Sequence, residues 1–521
     1  MKKKKVLWVD DEVDLLKAHI LFLRSKGYEV VPVTNGEDAI KLVCQDHFDL
    51  VLLDEIMPGK DGLKTLEELK EISPATPVVM VTKNEEESLM EEAIGMKITD
   101  YLTKPINPSQ VLLVCKKILE QGRITLEQIS KDYLEEFNKM SRINFSDLDY
   151  NDWIKICLKL ARWEVEFDEY PDSGLKETLE DQKRTCNLEF SRFIEKNYKK
   201  WVNEHPQKRP TLSPDLIKKY VSPFLIRGEK VLFILIDCMR LDQWLTFSPE
   251  LYEFFNIKTD YYYSIIPSAT PFARNSIFSG LFPVDFTKNY PDIWLKNDSS
   301  ESSMNRYESS MLGSLIKKNG ITLKGSYKYI KIIGSEEGWT LEKKINTYLT
   351  SPLVAVVINF VDMLAHKRSE MDFLKEIVPD EAGYRSLIRT WFKNSWLYSI
   401  LRNFSQYDFK IVITSDHGSI KVKHDVEVIG DRETSPNIRF KYGKNLNTHP
   451  KYALNIKKPE EYKLPSFGIN TNYIIAKEDY YFVYPTNYHK YQTFYKNTFQ
   501  HGGISLEEMI VPVAILEPRL K

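Results

Sequence analysis

Short apolar runs alternate with amphipathic segments over the first part of the chain. The runs KVLWV, EVVPV, DLVLLD and PVVMVT are separated by patterns such as DLLKAHILFLRSKG and EDAIKLVCQDH, in which apolar residues recur at helical spacing. Runs of this length are typical of strands in a parallel sheet, and the helices between them serve as crossovers. Residues 5–119 are therefore predicted to form a parallel α/β sheet.

The pattern changes at about residue 122. From there to about 206, charged, heptad-like segments such as ITLEQISKDYLEEFNKM predict three helices packed as a small bundle. After a proline-rich linker, buried-strand runs return at KVLFILID, SPLVAVVINFVD and DFKIVITSD. We therefore predict an overall α/β fold with an α/β domain at 1–121, an all-α bundle at 122–206 and a second α/β domain at 207–521.

The composition narrows the classes of function. The 521 residues include 72 Lys and Arg against 74 Asp and Glu, so no global basic field favours bulk DNA binding. No stretch approaches about 18 apolar residues, so we expect no membrane span. The apolar stretch after the N-terminal lysines is four residues long and ends in three carboxylates, so we expect no secretory signal. The five cysteines are scattered, which argues against a disulfide framework and a zinc knuckle. We expect a cytoplasmic protein.

Carboxylates and a lysine follow the ends of the predicted strands in the first domain. Asp10 and Asp11 follow the first strand, and Asp54 ends the third. Thr82 ends the fourth strand, and Lys104 follows the fifth. Neighbouring carboxylates repel one another unless a cation neutralises them, and oxygen ligands suit Mg²⁺. A carboxylate held against Mg²⁺ and a lysine can accept a phosphoryl group.

This set resembles the receiver domain of two-component response regulators. The resemblance covers the whole domain and includes LLDEIMPGKDG and Tyr101, three residues before the lysine. It implies a flavodoxin-like fold in which a sensor histidine kinase phosphorylates Asp54. It also implies that Ile56 gives Mg²⁺ a backbone carbonyl, that Thr82 binds the phosphoryl group and that Tyr101 is the aromatic switch. The charged segment 85–92 and the strand after it would form the switching surface.

A second constellation lies in the C-terminal domain. Its three strand runs each end in an aspartate, Asp237, Asp362 or Asp416. Active sites of open α/β sheets lie outside the carboxyl ends of strands, so we expect these residues to converge. The other candidates are a hydroxyl and three imidazoles, Thr270, His366, His417 and His501. Mixed carboxylate and imidazole ligands suit Zn²⁺ best, with Mn²⁺ second and Mg²⁺ less suited.

Two ions are the economical interpretation of this set. One is expected between Asp362, His366 and His501, and the other between Asp237, Thr270, Asp416 and His417. Such a pair stabilises the attacking and leaving oxygens of a displacement at phosphorus, and it activates a threonine hydroxyl as the nucleophile. Thr270 also opens a helix-like segment whose N–H groups can hold a phosphate. Arg274, one turn later, is predicted to add bidentate phosphate contacts.

This layout resembles the alkaline phosphatase superfamily and, within it, the PglZ domain. The residues that carry the resemblance are IDCMRLD, PSATPFARNSIFSG, the Asp362 and His366 pair, SDHG and HGGISLEEMIVPV. Receiver, helical bundle and PglZ domain in this order resemble PorX-type response regulators of the Bacteroidetes type IX secretion system. The resemblance implies two Zn²⁺ ions and a phosphodiesterase acting on nucleotide-type substrates, including linear or cyclic oligonucleotides. It also implies control of secretion genes through an alternative sigma factor, and receivers commonly form homodimers on phosphorylation.

Other interpretations stay open at this point. The PglZ region could instead be an interaction surface of a phosphorylation-dependent adaptor that binds a sigma factor or a secretion component. Direct DNA binding is the weakest option, because no helix-turn-helix or basic stripe is visible. Arg240 and Asp242 either orient metal ligands or make ordinary helix N-terminal contacts. In the insertion at 418–500, Arg439 and Lys441 are candidate phosphate contacts.

Overall fold

The computed structural model describes residues 3–83, 94–95, 98–171, 174–294, 304–430, 435, 437–468, 470–485 and 488–519. Backbone contacts divide the chain into two compact units, Met1–Ser141 and Arg142–Lys521. Each unit has its own central sheet and its own apolar core. The segment 85–92, predicted as part of a switching surface, lies outside the described residues.

The first unit is built on five parallel strands. They are β1 (Lys5–Val9), β2 (Glu29–Val33), β3 (Leu50–Asp54), β4 (Val78–Thr82) and β5 (Asp100–Thr103), in the order β2-β1-β3-β4-β5. Alternate residues of β1 point into two different cores, Val6 and Trp8 into one and Leu7 and Val9 into the other. Because both faces are covered, the strands read as continuous apolar runs. This strand order confirms the predicted flavodoxin-like fold.

The helices of the first unit are Lys17–Ser25, Gly36–Gln45, Gly62–Ile72, Pro108–Leu119 and Gln121–Met140. Three of them begin after a side chain that accepts a hydrogen bond from a backbone N–H in the first turn, namely Asn35, Asp61 and Asn107. Such caps satisfy N–H groups that the first turn of a helix leaves without a partner. The cap residues therefore fix where these helices start.

The second unit is built on six strands, four of them parallel. They are β6 (Lys230–Ile236), β7 (Phe255–Tyr263), β8 (Lys328–Ile332), β9 (Leu353–Ile358), β10 (Phe409–Thr414) and β18 (Ile510–Pro518), in the order β7-β18-β10-β6-β9-β8. The neighbours β10, β6, β9 and β8 run parallel, whereas β18 is antiparallel to β10 and β7. The carboxyl ends of β10, β6 and β9 therefore meet at one edge of the sheet.

Helices surround this sheet. They are Tyr150–Asp168, Leu175–Asn203, Leu216–Tyr220, Ser222–Ile226, Leu241–Phe247, Thr270–Ser279, Pro283–Asn289, Glu308–Lys318, Ser335–Lys343, Ile345–Tyr348, Phe360–Glu370, Asp372–Ile377, Glu381–Lys393, Trp396–Phe404, Tyr488–Tyr495 and Leu506–Met509. Among the described residues, no helix is both long enough and apolar enough to cross a membrane.

The three helices predicted for residues 122–206 are present, but they divide between the two units. Gln121–Met140 belongs to the first unit, and Tyr150–Asp168 and Leu175–Asn203 belong to the second. These two pack against each other, and Tyr150–Asp168 also packs against the helix Leu241–Phe247. Their apolar faces, which predicted an independent bundle, are thus buried partly against the α/β domain.

The insertion between His417 and His501 forms small sheets of its own. These contain β11 (Ile420–Lys421) with β17 (Phe499–Gln500), β12 (His424–Glu427) with β16 (Tyr480–Val483), and the set β13 (Phe440–Lys444), β14 (Ala453–Ile456) and β15 (Thr471–Ala476). The antiparallel pairing of β11 with β17 brings the two ends of the insertion side by side. This pairing returns the chain to the main sheet directly before His501.

Candidate functional site

The carboxyl ends of β1 and β3 hold an acidic cluster in the first unit. Asp10 is 1% exposed and Asp54 is 4% exposed, and these two and Asp11 each offer a carboxylate oxygen within 4.8 Å of the others. The Lys104 ammonium donates to Asp10 at 2.9 Å and to Asp54 at 2.8 Å. Burial raises the pKa of Asp54 against the opposing hydrogen bond from Lys104, and the charges of Asp10 and Asp11 raise it further. This oxygen-rich set fits a hard divalent cation such as Mg²⁺.

Three other residues predicted for this site occupy different positions. Thr82 is buried at the end of β4, and its hydroxyl donates to the carboxylate of Glu55, which the sequence did not single out. The Tyr101 ring is exposed on β5, and the Ile56 side chain is exposed in the loop after β3. The magnesium contact of Ile56 and the switching role of Tyr101 stay predictions.

Gly62 is a residue of this unit that the sequence analysis did not single out. A Cβ atom at this position would lie 2.3 Å from the backbone oxygen of Asp54. Only glycine allows the start of the helix Gly62–Ile72 to pack this closely against the end of β3. The Asp-Gly pair in LLDEIMPGKDG was the available signal.

The second cluster lies at the carboxyl edge of the six-stranded sheet. Asp237 directly follows β6, and Asp416 and His417 follow β10. Asp362 lies in the first turn of the helix that follows β9. Because β10, β6 and β9 are parallel neighbours, these residues converge as expected although they are distant in sequence. The β11 and β17 pair delivers His501 to the same place.

One part of this cluster contains Asp362, His366 and His501. The Nε2 atoms of His366 and His501 lie 3.3 and 3.5 Å from Asp362 Oδ1. Asp362 and His366 are one helical turn apart and so share a helix face. Burial opposes ionisation of Asp362, but hydrogen bonds with His366 and His501 hold its pKa well below the usual range. His501 is buried, whereas the His366 side chain is 47% exposed.

The other part contains Asp237, Asp416, His417 and Thr270, all of them buried. The Thr270 hydroxyl lies 3.1 Å from His417 Nε2 and 3.3 Å from Asp237 Oδ1. His417 Nε2 is 3.8 Å from an oxygen of Asp237 and of Asp416. The His417 and His501 rings stack with their centroids 4.4 Å apart. The two parts are therefore contiguous.

The electrostatics of this cluster fit bound cations. Burial raises the pKa of Asp416 well above its usual value, and the neighbouring Asp237 carboxylate raises it further. Burial and the charge of His501 hold the pKa of His417 well below the usual range, so its imidazole is neutral, as a metal ligand must be. Asp416 Oδ2 is buried and receives no hydrogen bond from a donor group in the described part of the chain. Crowded carboxylates with neutral imidazoles form a donor set that fits zinc.

Several residues that the sequence analysis missed hold the ligand loops. Cys238 adopts the left-handed conformation, with φ of 65°, and its N–H donates to Asp416 at 3.3 Å. The hydroxyls of Tyr262 and Ser264 donate to the backbone oxygens of Ser415 and Asp416, at 2.6 and 2.7 Å. These bonds fix the loops after β6 and β10 relative to each other. Of these residues, only Cys238 could have been found from the local sequence, because it lies in the DCM sequence directly after β6.

The HGGISLEEM segment is held by buried polar contacts. A Cβ atom at Gly418 would lie 2.0 Å from the Glu507 backbone oxygen, so the SDHG loop needs glycine there. Arg439 is fully buried and paired with Glu508, whose carboxylate also accepts from the N–H of Gly503 at 2.9 Å. Lys441 is buried too and donates to a backbone oxygen. The phosphate contacts considered for Arg439 and Lys441 do not agree with these positions.

Arg240 and Asp242 form a buried ion pair behind the loop that carries Asp237. Arg240 also contacts Glu381, at 3.1 Å, and Asp242 accepts from Arg385 at 2.8 Å. Of the two interpretations left open by the sequence, this network agrees better with support of the ligand loop. Such buried pairs orient the groups attached to them because neither charge can leave its partner without a large cost.

The structure does not support the two phosphate contacts predicted around Thr270. Phe272 and Ala273 both donate their N–H to the Ala269 carbonyl, and Pro271 has no N–H, so these donors are not available to a phosphate. Arg274 is 1% exposed and is bound by two carboxylates, Asp237 and Glu308. The predicted phosphate contact of the guanidinium is therefore replaced by the contact with Glu308, which lies 34 residues away in sequence.

Three family models match successive parts of the chain. The model described as the response regulator receiver domain matches residues 6–116, and the PorX response regulator linker domain matches 123–202. The BREX system PglZ alkaline phosphatase-like domain matches 216–516, more than half of the chain. The chain belongs to the PglZ family. Receiver, PorX linker and PglZ domain together identify it as a PorX-type response regulator.

Curated relatives resemble only part of this PglZ protein. It is 33% identical over 121 residues to the transcriptional regulatory protein ResD of Bacillus subtilis, covering 23% of this chain and 50% of ResD. It is 32% identical over 123 residues to the alkaline phosphatase synthesis transcriptional regulatory protein PhoP of the same species, covering 23% of this chain and 50% of PhoP. The match thus spans about half the length of these relatives.

Among solved structures, the chemotaxis protein CheY4 of Vibrio cholerae matches at 27% identity, with a TM-score of 0.22, covering 22% of this chain and 99% of CheY4.

Proposed function

We propose that this response regulator is a cytoplasmic, zinc-dependent phosphodiesterase whose activity is controlled by phosphorylation of Asp54. The observation that carries the proposal is the position of the Thr270 hydroxyl, 3.1 Å from His417 Nε2 within a buried cluster of carboxylates and imidazoles. A hydroxyl in such surroundings is the usual arrangement of an activated nucleophile. The PglZ match supports a hydrolase of the alkaline phosphatase superfamily.

Each zinc ion would have its own set of protein ligands. Asp362, His366 and His501 would hold one, and the other would be held by Asp237, Thr270, Asp416 and His417. When bound, the two ions would supply Lewis-acid stabilisation of the oxygens that attack and leave phosphorus. In the receiver domain, Asp10, Asp11, Asp54 and the carbonyl of Ile56 would hold Mg²⁺ during phosphoryl transfer.

The orientation of His417 suits a zinc ligand beside the threonine hydroxyl. Its Nδ1 lies 3.0 Å from the carbonyl oxygen of Gly418, which assigns the ring proton to Nδ1 and leaves the Nε2 lone pair facing Thr270. Asp237 Oδ1 offers the hydroxyl an acceptor. Attack of Thr270 Oγ1 on a phosphodiester would release the first alcohol and form a covalent diester in which phosphorus joins Thr270 to the rest of the substrate. Water would then cleave the bond between phosphorus and Thr270 Oγ1, release the phosphomonoester and regenerate the hydroxyl.

The substrate class is proposed to be nucleotide-type, including short linear or cyclic oligonucleotides. The insertion between His417 and His501 exposes large aromatic side chains, Phe467, Tyr491 and Phe494. Exposed aromatic rings provide stacking faces for bases without requiring a particular base. The net charge of −2 disfavours long nucleic acids, which bind chiefly through phosphates.

The catalytic proposal is tested by metal analysis and hydrolysis assays on the purified full-length protein. Protein loaded with two equivalents of zinc should hydrolyse an aryl phosphodiester or a short oligonucleotide. Thr270→Ala should abolish this activity, whereas Thr340→Ala, at an exposed threonine of the same unit, should not change it. Absence of hydrolysis in every case, with sigma-factor binding that survives Thr270→Ala, would favour the adaptor function instead.

The receiver domain implies a cognate sensor kinase. We propose that a sensor histidine kinase phosphorylates Asp54, that phosphorylation shifts the protein toward a homodimer, and that its partners include an alternative sigma factor and type IX secretion components. The PorX linker match supports this assignment. Affinity purification from the source bacterium should recover these partners with the wild-type protein and fail with Asp54→Ala.

A further inference from the structure

A series of buried polar contacts leads from Asp237 away from the candidate metal site. Arg274 Nη1 donates to Asp237 Oδ2 at 2.7 Å, and Arg274 Nε donates to Glu308 Oε1 at 2.6 Å. The Tyr329 hydroxyl donates to the other oxygen of Glu308. Arg274 and Glu308 are each 1% exposed. This series of contacts thus links four residues, of which only Asp237 belongs to the candidate metal site.

The geometry gives the two oxygens of Asp237 different tasks. Oδ2 accepts from Arg274, and Oδ1 faces the Thr270 hydroxyl at 3.3 Å. A carboxylate with one oxygen fixed cannot rotate, so the other oxygen has one direction toward a metal ion and the nucleophile. Arg274 lies one helical turn after Thr270 on the helix Thr270–Ser279, so the same helix sets the positions of the nucleophile and of this contact.

The charges explain why Glu308 belongs to this series of contacts. A buried guanidinium facing only the metal ligands would add a positive charge next to the metal ions. Glu308 neutralises that charge, so Arg274 can act on Asp237 through hydrogen bonding and orientation without a net charge beside the site.

The scaffold behind Glu308 is also fixed. Glu308 is the first residue of the helix Glu308–Lys318, and Asn275 ties the preceding residues to the helix of Arg274. The Asn275 amide donates to Asn305 Oδ1 at 2.9 Å and to the Met304 carbonyl at 3.1 Å. Tyr329 lies on β8, and its ring packs 5.6 Å from that of Phe278 on the helix of Arg274. Elements from three parts of the chain therefore converge on one guanidinium.

We propose that Arg274 is a positioning residue that holds Asp237 for zinc, with Glu308 and Tyr329 fixing the guanidinium, and that it does not bind the substrate phosphate. This inference rests on the proposed function, because it assigns Asp237 to a zinc ion. It replaces the phosphate contact predicted from the sequence. It also adds Glu308 and Tyr329, neither of which touches a metal ligand directly, to the residues that determine zinc affinity.

Three conservative variants of the full-length protein test the inference, namely Arg274→Lys, Glu308→Gln and Tyr329→Phe. Arg209→Lys is the matched control, because Arg209 forms a buried ion pair with Asp215 in the same unit and its hydrogen bonds in the described structure do not reach a candidate ligand. The readouts are zinc affinity by chelator competition, kcat and KM for an aryl phosphodiester, and the inhibition constant of inorganic phosphate. Circular dichroism checks that each variant folds.

We expect the affinity for one of the two zinc ions to fall about 10-fold to 100-fold in Arg274→Lys and Glu308→Gln, with a smaller fall in Tyr329→Phe. The kcat should fall in parallel and recover in excess zinc, while KM and the phosphate inhibition constant stay unchanged. Arg209→Lys should match the wild type. If Arg274→Lys fails to fold, Glu308→Gln and Tyr329→Phe still decide the question.

Two results would overturn the inference. One is wild-type zinc affinity in all three variants. The other is a KM and a phosphate inhibition constant that rise about tenfold in Arg274→Lys while zinc stays bound, which is the behaviour of a phosphate contact. Wild-type protein that binds no zinc would instead refute the proposed function and this inference with it. The wild-type measurement therefore separates the two failures.

Discussion

The imidazole rings of His417 and His501 stack with their centroids 4.4 Å apart, although a complete inserted subdomain separates them in sequence. His417 lies in the loop that follows the strand β10, and His501 follows the ribbon formed by β11 and β17. This contact joins the two parts of the candidate site. It also means that the insertion must be folded before the site is complete.

His501→Ala should remove one zinc ion and leave the other. His501 contacts Asp362 and belongs to the first ligand set, whereas Asp237 and Asp416 hold the second set without it. We expect zinc content to fall from two equivalents to about one and kcat to fall by at least about 100-fold, because one ion of a two-ion site is lost. Elemental analysis with a parallel hydrolysis assay measures both effects.

His489→Ala is the control for that variant, because His489 is exposed and lies in the same insertion. It should keep two zinc ions and full activity. Unchanged zinc content in His501→Ala would mean that His501 is not a ligand.

Asp416→Asn should make the metal-free protein more stable. Asp416 is buried against Asp237, and burial together with that neighbour raises its pKa well above the usual value. Asparagine removes the charge and keeps the shape, so the free energy of unfolding without metal should rise by about 1 to 2 kcal/mol. The same variant should lose most of the zinc-induced stabilisation, which reaches about 4 kcal/mol in the wild type at a thousandfold excess over Kd.

Chemical denaturation with a chelator and with added zinc gives both numbers for Asp416→Asn. Asp408 is exposed and directly precedes β10, the strand that Asp416 follows. Asp408→Asn should therefore respond to zinc like the wild type. A metal-free Asp416→Asn protein that is less stable than the wild type would contradict the prediction.

Titration of Lys441 should make the stability of the protein depend on pH, whether or not the metal site is occupied. Burial lowers the pKa of its ammonium from 10.5 to about 8. Between these two pH values the unfolded chain binds more protons than the folded chain, so stability rises with pH. The rise is about 1.4 kcal/mol per pH unit and about 3 kcal/mol over the whole window. Below about pH 8 the lysine is charged in both states and its contribution is constant.

Lys441→Met should remove this dependence and raise the stability at pH 7. The measurement is the difference between wild type and variant in urea-induced unfolding at pH 7, 8.5 and 10, since the difference cancels the titration of other groups. Parallel pH profiles in the two proteins would refute the assignment.

Much of the site was predictable because an apolar strand run followed by an aspartate marks where a strand ends. Asp237 directly follows one apolar strand and Asp416 lies two residues after another, and parallel neighbours must bring such ends together. The positions of Thr270 and His501 were found through motifs that resemble the PglZ family. Within the receiver domain, the acidic cluster and Lys104 followed from the same reasoning.

The residues that were missed make contacts that only the folded chain creates. Glu308 begins an amphipathic helix, but its apolar face does not show that the start of the helix faces Arg274. For the same reason the phosphate contact of Arg274 was predicted from its spacing alone. The helices at 122–206 were found, but their division between two units was not, because an apolar helix face does not specify its partner.

Phosphorylation of Asp54 should convert the protein from monomer to dimer. Lys104, which contacts Asp54 at 2.8 Å, and a bound Mg²⁺ would neutralise the phosphoryl group, and receivers signal through such two-state shifts. Acetyl phosphate with Mg²⁺ should double the mass measured by light scattering in the wild type and leave Asp54→Asn unchanged. Asp14→Asn, at an exposed aspartate of the same unit, should behave like the wild type. Equal masses with and without acetyl phosphate would contradict this prediction.

Anomalous X-ray diffraction at the zinc edge, on crystals of the zinc-loaded protein, tests the central claim most directly. We expect two peaks per chain, one between Asp362, His366 and His501 and one between Asp237, Asp416 and His417, with Thr270 Oγ1 next to the second. A map without a peak among these side chains, or with zinc bound elsewhere on the chain, would contradict it.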